Sequence, residues 1–459
     1  MTNRLPSRTA WLLIFAGAIV GSAGWAEAQT LDEALAATYA SNPTLEAARA
    51  RLRATDELVP QALSNYRPTA SVNGDLGVET EKSTNFGGSG SESATTAPRA
   101  ARLNVTQPLY RGGRTVAETN QAENLVEAER ARLTAVEQDV LLRAVTAYVN
   151  VVRDQAVVEL TKSNEAVLGR HLKATQDRFS VGEVTRTDVS QAESRLARAT
   201  AQRIEAEGLL VSSRATYVEL VGEMPGTLSE PAIPTRLPAT EEETIAESDN
   251  NPNIAAAQFA ARAAQDGTDL AFGELLPRLS LEGELTTLRD SGFEGQESDS
   301  AAITARLTIP LYQAGAVGSR IRESKQRVAQ RRREIDEQRR NAVQNATSAW
   351  QALETARARI QSFEAEVNAA ETALDGVEQE QQVGSRTVLD VLDAQQELFV
   401  AQVNLVRSKR DQIEAAYRVL NAIGQLTAQK LSLPVDYYDV MQHYKEVRDK
   451  WWGLNASGQ

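Results

Sequence analysis

Apolar residues recur every seven positions along two long stretches of the chain. The first stretch has this spacing at Val126, Leu133 and Val140, and the second at Ile321, Val328, Ile335 and Ala342. Heptad spacing is typical of helices that pack side by side along their length. No proline lies between Gly113 and Val181, so the pattern predicts one helix of about 67 residues, roughly 100 Å long. A helix of about 40 residues follows each long one, ending at Gly222 and at Gly424.

Shorter stretches that precede each long helix alternate between apolar and polar residues. The alternation runs through Val72, Asn73, Gly74, Asp75, Leu76, Gly77, Val78 and Glu79 in the first half, and through Leu279, Ser280, Leu281, Glu282, Gly283, Glu284 and Leu285 in the second. Return stretches around Val105 and Leu307 show the same period and end at a Pro-Leu-Tyr sequence. A period of two predicts strands with one apolar and one wet face.

The two halves of the chain repeat one pattern. Asn42-Pro43 recurs as Asn251-Pro252, an offset of 252 − 43 = 209. Pro108 recurs as Pro310, an offset of 310 − 108 = 202, and Val181-Gly182 recurs as Val383-Gly384 with the same offset. The shift of seven residues falls in the loop-like stretch Ser83 to Pro98 of the first copy. Because the offset between matching residues stays constant over such distances, the pattern indicates a duplicated structure.

The duplication predicts the domain organisation. Residues 1–28 form a signal peptide, since basic residues and a short apolar run precede the cleavage site Ala26-Glu27-Ala28. The first repeat, 29–224, contains an initial helix over Leu31 to Leu63, a β-hairpin over 66–111, a long helix over 113–180 and a helix over 183–222. A proline-rich linker, 225–238, precedes the second repeat, 239–424, which contains an initial helix over Glu241 to Leu275, a β-hairpin over 276–313, a long helix over 315–381 and a helix over 385–424. We expect the tail, 425–459, to pack along the outside of the rod.

Composition narrows the class of protein. Aromatic residues make up 5% of the chain and charged residues 24%, which suits long helices with narrow alanine-rich seams better than several thick cores. The net charge of −13 argues against a nucleic-acid partner. The absence of cysteine excludes disulfides and a lipid-modified N-terminal cysteine. His171 and His443 are the only histidines, so we expect no catalytic triad, no metal site, no cofactor and no enzymatic activity.

Four strands in one chain cannot close a barrel, because small closed barrels need about eight. The missing strands must therefore come from other subunits, and the polar faces would line a water-filled lumen. The alternative is a structural periplasmic coiled-coil protein without a transport role. That alternative explains the rods but leaves the alternating strands unexplained.

The duplicated layout, the strand exits PLYRGG and PLYQAG, and the turns RFSVGEVTRTDV and VGSRTVLDVLDAQQEL resemble the TolC family of outer membrane efflux and type I secretion proteins. The resemblance covers nearly all of the mature chain. It implies a membrane α/β fold, in which a homotrimer with four strands per protomer forms a 12-stranded outer membrane β-barrel. This barrel would continue as a long α-helical coiled-coil barrel in the periplasm. The tail PVDYYDVMQHYKEVRDKWWGL is similar to that of members associated with type I secretion.

The same resemblance implies a function and partners. The trimer would be a passive exit duct for efflux or type I protein secretion. A periplasmic adaptor (membrane fusion) protein and an inner membrane pump or ABC transporter would open its periplasmic tip, and outer membrane lipid would surround it. We expect the pump to select the substrate, which this sequence does not identify.

The resemblance also assigns residues at the two Val-Gly turns. The adaptor would contact the hairpin tips at Val181, Gly182, Glu183, Val383, Gly384 and Ser385. The second hairpin would be the gate, with Arg386 holding the closed tip to Asp188, beside Thr187, on a neighbouring protomer. Gln381 occupies the position of a family tyrosine in this gate, and its amide still forms hydrogen bonds.

Asp390 and Asp393 lie three residues apart, which places them on one face of a helix. In a trimer they would form two stacked rings of carboxylates near the narrow end of the tunnel. Each would raise the other's pKa, yet most would stay ionised near neutral pH because the mouth is wet. An acidic ring in a constriction favours cations and binds multivalent ones. A solvated helix face is the alternative interpretation of the pair.

Overall fold

The computed structural model of the protein describes residues 28–84 and 91–455. The predicted signal peptide therefore lies outside the described residues, apart from Ala28. Among the described helices, none combines the length and the apolar character needed to cross a membrane.

Two helices of 67 residues each, α4 (Arg114–Ser180) and α8 (Ala316–Gln382), form the length of the molecule. Helix α5 (Arg186–Val221) runs back along α4, and α9 (Val388–Ala422) runs back along α8. We call α4 with α5 the first hairpin and α8 with α9 the second hairpin. The heptad positions of α4 at Val126, Leu133 and Val140 are buried, as side-by-side packing requires.

The initial helix of each repeat is interrupted, so the prediction of continuous helices over Leu31 to Leu63 and Glu241 to Leu275 was wrong. The first is divided into α1 (Leu31–Ser41), α2 (Pro43–Asp56) and α3 (Leu58–Leu63), and the second into α6 (Glu241–Glu247) and α7 (Pro252–Phe272). The breaks between α1 and α2 and between α6 and α7 come at the Asn-Pro pairs, because proline has no N–H to continue a preceding helix and fits best in the first turn of a new one. The break between α2 and α3 comes at Glu57.

Each asparagine of these pairs caps the new helix and ties it to the neighbouring hairpin. The Oδ1 atom of Asn42 accepts from the backbone N of Thr44 at 3.0 Å, and its Nδ2 donates to the carbonyl of Leu220 at 3.0 Å. Asn251 repeats both contacts, with the backbone N of Asn253 at 3.0 Å and the carbonyl of Ala422 at 3.2 Å. Both repeats are therefore bent and anchored in the same way.

A four-stranded antiparallel sheet forms the end of the molecule opposite the hairpin tips. Its strands are β1 (Thr69–Leu76), β4 (Arg99–Tyr110), β5 (Arg278–Arg289) and β6 (Glu297–Thr308), in the order β1-β4-β5-β6. The two repeats meet at β4 and β5, whereas β1 and β6 are edges within the single chain. All of the residues of β1 and β6 are exposed.

A second, two-stranded ribbon extends the first repeat and consists of β2 (Glu79–Thr84) and β3 (Ser91–Thr96). The expectation of a loop over Ser83 to Pro98 was therefore wrong for β3, and residues 85–90 lie outside the described residues. The hydroxyl oxygens of Thr80 and Thr95 lie 3.1 Å apart across the ribbon. Threonine favours strands, since its branched side chain packs well on a pleated surface. In β3 this preference outweighs the tendency of the nearby serines and glycines to form a loop.

The largest hydrophobic core lies midway along the rod, where α1, α4, α5, α9 and the tail meet. Tyr148 and Tyr217 are fully buried in it. The Tyr148 hydroxyl lies 2.8 Å from the carbonyl oxygens of both Gln29 and Ser229, and the Tyr217 hydroxyl donates to Oε1 of Gln29 at 3.0 Å. Burial raises the pKa of Tyr217 to about 12.

The tail returns along the outside of this core, as expected. Leu433 is buried in the core cluster, and Val435, Tyr438 and Val440 pack against it. A short helix, α10 (Gln442–Val447), follows.

Candidate functional site

The two hairpins end in the same tight turn. In the first, the backbone N of Glu183 donates to the carbonyl of Arg178 at 3.0 Å, and Gly182 has a φ of 81°. In the second, the backbone N of Ser385 donates to the carbonyl of Glu380 at 2.9 Å, and the φ of Gly384 is also 81°. These are Schellman turns, which need a residue in the left-handed region and therefore favour glycine.

The turns present apolar side chains to the outside. Val181 is 71% exposed and Val383 is 81% exposed. No atom lies within 4 Å of the position that a Cβ would take at Gly182 or Gly384. Both tips are therefore open surfaces with a valine at the centre, which is a suitable shape for contact with another protein.

The aspartates that follow each turn are helix caps. Asp188 Oδ2 accepts from the backbone N and the hydroxyl of Thr185, both at 2.8 Å. Asp390 Oδ2 accepts from the same two groups of Thr387, at 2.8 and 2.7 Å. In return each threonine hydroxyl accepts from the aspartate backbone N, so each pair is a capping box. Asp188 and Asp390 therefore occupy equivalent positions in the two repeats.

The cap changes the electrostatics expected at Asp390. Hydrogen bonds from Thr387 stabilise the ionised carboxylate and hold the pKa of Asp390 below its usual value. The expectation that the carboxylate rings of Asp390 and Asp393 raise each other's pKa in a trimer stays a prediction. Asp390 is ionised at neutral pH.

Asp393 is paired with a residue that the sequence analysis did not single out. Its Oδ1 forms an ion pair with Nη2 of Arg195, which lies on α5. Among the described residues this is the one ion pair that joins the first hairpin to the second. The same two hairpins also share a small hydrophobic cluster of Leu168, Ala192, Ala199 and Leu392. The pair therefore lies where the two hairpins come together.

The gate residues are close to the tips but do not contact one another within one protomer. Arg386 Nε donates to Oε2 of Glu380 at 2.8 Å, across the turn of its own hairpin. Arg386 and Thr187 are exposed, and Gln381 is half-buried. In the described part of the chain, no hydrogen bond or ion pair connects Arg386 or the Gln381 side chain to Asp188. The contact predicted between protomers stays a prediction.

Some tip residues that were not predicted to be functional can be recognised from a sequence pattern. Threonine three residues before aspartate, at the start of a helix, is the capping-box pattern, and it was present at Thr185 and Thr387. Arg195 had no such signal, because its partner is 198 positions away on another hairpin. Across the described residues, no group of three or more His, Cys, Asp or Glu side chains is placed to bind a metal ion.

Comparison with known proteins places these features in a family. The family model described as outer membrane efflux protein matches residues 34–223 and 247–425, one segment for each repeat. The outer membrane efflux protein BepC of Brucella suis is 35% identical over 97% of this chain and 96% of its own length. The outer membrane protein TolC of Escherichia coli is 23% identical over 90% of this chain and 85% of its own length.

Solved structures share the fold. The outer membrane protein VceC of Vibrio cholerae aligns with a TM-score of 0.74 and 20% identity, over 86% of this chain and 96% of its own. The CmeC outer membrane channel of Campylobacter jejuni aligns with a TM-score of 0.76 and 17% identity, over 91% of this chain and 89% of its own. The chain therefore belongs to the outer membrane efflux protein family, whose members are passive homotrimeric channels of the outer membrane that extend into the periplasm and work with periplasmic adaptors and inner membrane pumps.

Proposed function

We propose that export through this channel is controlled where the two hairpins end, by Arg386 as the closing residue and by the two Val-Gly turns as the surface that the adaptor contacts. The observation that carries this proposal is the duplicated turn. Two copies of one open turn expose Val181 and Val383, and Arg386 lies three residues after Val383. Binding at the turn would therefore act directly on the closing residue.

The exposed faces of the hairpins support closure of a helical tunnel by neighbouring protomers. Helix α5 exposes small and apolar residues at alternating spacings of four and three: Ala197, Ala201, Ile204, Gly208, Val211 and Ala215. Helix α8 exposes small residues at the same spacings: Ala358, Ser362, Ala365, Ala369 and Thr372. Spacings of this kind place residues on one seam, and small residues allow close approach. We therefore propose that α8 of one protomer packs on α5 of the next.

The sheet edges support the same arrangement. Strands β1 and β6 have no partner on their outer sides within the described chain. Unpaired strand edges in a membrane are unfavourable, because no water is present to bind their N–H and C=O groups. Pairing of β6 with β1 of the next protomer would remove every edge of the four-stranded sheets in a closed trimer.

The gate itself would work by an exchange of partners at Arg386. In the single protomer the guanidinium pairs with Glu380. Asp188 uses only Oδ2 in its capping box, so Oδ1 is available to accept from Arg386 of a neighbour. Exposed ion pairs of this kind contribute little net stability. Because neither exposed pairing would be strong, adaptor binding would be enough to shift Arg386 from Asp188 to Glu380.

The acidic constriction would depend mainly on Asp390. Its carboxylate is ionised and half-exposed, whereas Asp393 is neutralised by Arg195. We propose that one ring of three Asp390 carboxylates attracts cations at the mouth, and that Asp393 adds little while its ion pair is intact.

Crosslinking from the tip tests the proposal. The chain has no cysteine, so Val383→Cys introduces a single thiol for a photoactivatable crosslinker in intact cells. We expect capture of a periplasmic adaptor by Val383→Cys and none by Ser298→Cys, which lies in β6 at the other end of the molecule. Equal capture from both positions, or capture from Ser298→Cys alone, would contradict adaptor binding at the tip.

A further inference from the structure

The tail follows the initial helices of the first repeat towards the sheet. The backbone N of Tyr438 donates to the Tyr39 hydroxyl at 3.1 Å. Further along, Nδ1 of His443 lies 3.2 Å from Oδ2 of Asp56, and both side chains are buried. Successive residues of the tail therefore contact first α1 and then the end of α2. The tail runs towards β1.

At its end the tail is fixed beside the first residue of the sheet. Arg67, two residues before β1, donates from Nη1 to the carbonyl of Lys450 at 2.7 Å. Its guanidinium carbon lies 4.7 Å from the ring centroid of Trp451, within the range of a cation–π interaction. Lys450 in turn donates from Nζ to the carbonyl of Asn455 at 3.2 Å. These contacts define a small closed loop, Trp451 to Asn455, which we call the indole loop.

The indole loop exposes large apolar side chains. Trp451 is 59% exposed, Trp452 is 87% exposed and Leu454 is 104% exposed. At the same end of the sheet, Tyr312 is 86% exposed after β6. Large apolar side chains exposed together in the indole loop are unfavourable in water and mark a surface that contacts something apolar.

We propose that the indole loop is a membrane anchor that sits in the periplasmic-side lipid interface of the outer membrane. The first residue of β1 follows Arg67 by two positions, so the loop lies at the level where the sheet leaves the membrane. Tryptophan and tyrosine favour this level of a bilayer, where the ring is apolar and the N–H or O–H is wet. The cationic groups of Arg67 and Lys450 flank the indoles, and they suit the phosphates of lipid head groups.

The anchor would fix the height of the channel in the membrane. The hydrophobic band of a sheet alone allows small vertical shifts, since mismatch is absorbed at a modest cost. An interfacial pair of indoles in each protomer would resist such shifts. Because the tail is also held at Asp56, a vertical position set at the membrane is transmitted to the helices of the periplasmic rod.

Tryptophan fluorescence offers a specific test. The chain has five tryptophans, of which Trp11 and Trp25 lie in the predicted signal peptide and Trp350 is buried in α8. In a Trp350→Phe variant, the mature protein therefore reports only on the indole loop. We would reconstitute this trimer into phosphatidylcholine vesicles with bromine either near the head group or near the chain end, since bromine quenches indoles it contacts.

For the Trp350→Phe trimer we expect quenching that is at least about twofold stronger with bromine near the head group than near the chain end. The matched control is Trp451→Phe with Trp452→Phe, in which Trp350 alone emits and no bromolipid quenches. Arg67→Gln removes the cation–π contact and the hydrogen bond to Lys450, so it should reduce the quenching of the indole loop.

Two outcomes would overturn the anchor. One is emission that no bromolipid quenches while the trimer still conducts ions, which would place the indoles outside the lipid and leave the channel function intact. The other is stronger quenching from the chain end, which would place them in the hydrocarbon core. A trimer that fails to conduct would instead count against the channel function itself.

Discussion

Arg195 and Asp393 form the ion pair that joins the two helical hairpins near their tips. Because Asp393 is half-exposed, Arg195→Gln leaves a second carboxylate free at the mouth of each protomer. We expect multivalent cations to block the Arg195→Gln channel up to about tenfold more tightly, since charges near a protein surface attract with about 1 kcal/mol or more.

Single-channel recording with a trivalent cation on the periplasmic side measures this effect of Arg195. Arg198→Gln, on the same helix, is the matched control, since Arg198 makes no ion pair in the described structure. The double variant Arg195→Gln with Asp393→Asn should return to the wild-type block. A double variant that stays as sensitive as Arg195→Gln would show that Asp393 is not the charge uncovered.

Asp390→Asn should weaken the same block strongly, on the order of tenfold or more if a ring of three charges is lost. Asparagine keeps an oxygen that accepts hydrogen bonds in the capping box, so helix α9 and the trimer should persist, and circular dichroism would check this. The double variant Arg195→Gln with Asp393→Asn removes both charges of the ion pair, so it should change the block much less than Asp390→Asn does. Equal effects of Asp390→Asn and of this double variant would contradict the assignment of the ring to Asp390.

Arg386→Ser should raise the conductance of the closed channel and increase antibiotic leakage into cells, because the proposed contact with Asp188 is removed. Arg186→Ser, an exposed arginine at the tip of the first hairpin, is the control and should leave conductance unchanged. Glu380→Gln removes the competing partner of Arg386, so it should lower conductance below the wild-type value. Wild-type conductance in Arg386→Ser would show that this arginine does not close the tip.

The protein should lose stability at alkaline pH through its buried tyrosines. The pKa of Tyr217 is raised from 10.0 to about 12 in the folded chain, so the folded state holds this proton more tightly than the unfolded state. The resulting stability is fully present below about pH 10 and is lost as pH rises towards about 12. Melting temperatures between these values should fall less steeply for Tyr217→Phe, whereas Tyr437→Phe, at a half-exposed tyrosine of the tail, should keep the wild-type slope.

The sequence was sufficient for the long helices because a heptad pattern that includes Val126 and Val140 reports directly on which residues are buried. It failed at Asn42 and Asn251, where the helix breaks depend on a local competition between helix continuation and the Asn-Pro cap. It failed again in β3, where a polar strand has no apolar alternation to reveal it. At the tip, the capping role of Asp390 was present in local sequence, whereas the pairing of Asp393 with Arg195 depends on how two distant hairpins pack.

The open edges of the sheet have a consequence for genetics. In the proposed trimer, β1 and β6 of each protomer pair only with strands of its two neighbours. One chain with a defective edge strand therefore prevents closure of the barrel that contains it. A proline introduced into the middle of β6, for example Ala302→Pro, would block pairing there. If such a chain is co-expressed equally with the wild type and mixes freely, roughly one ring in eight contains only intact protomers. A single defective allele would therefore behave as dominant over a functional one.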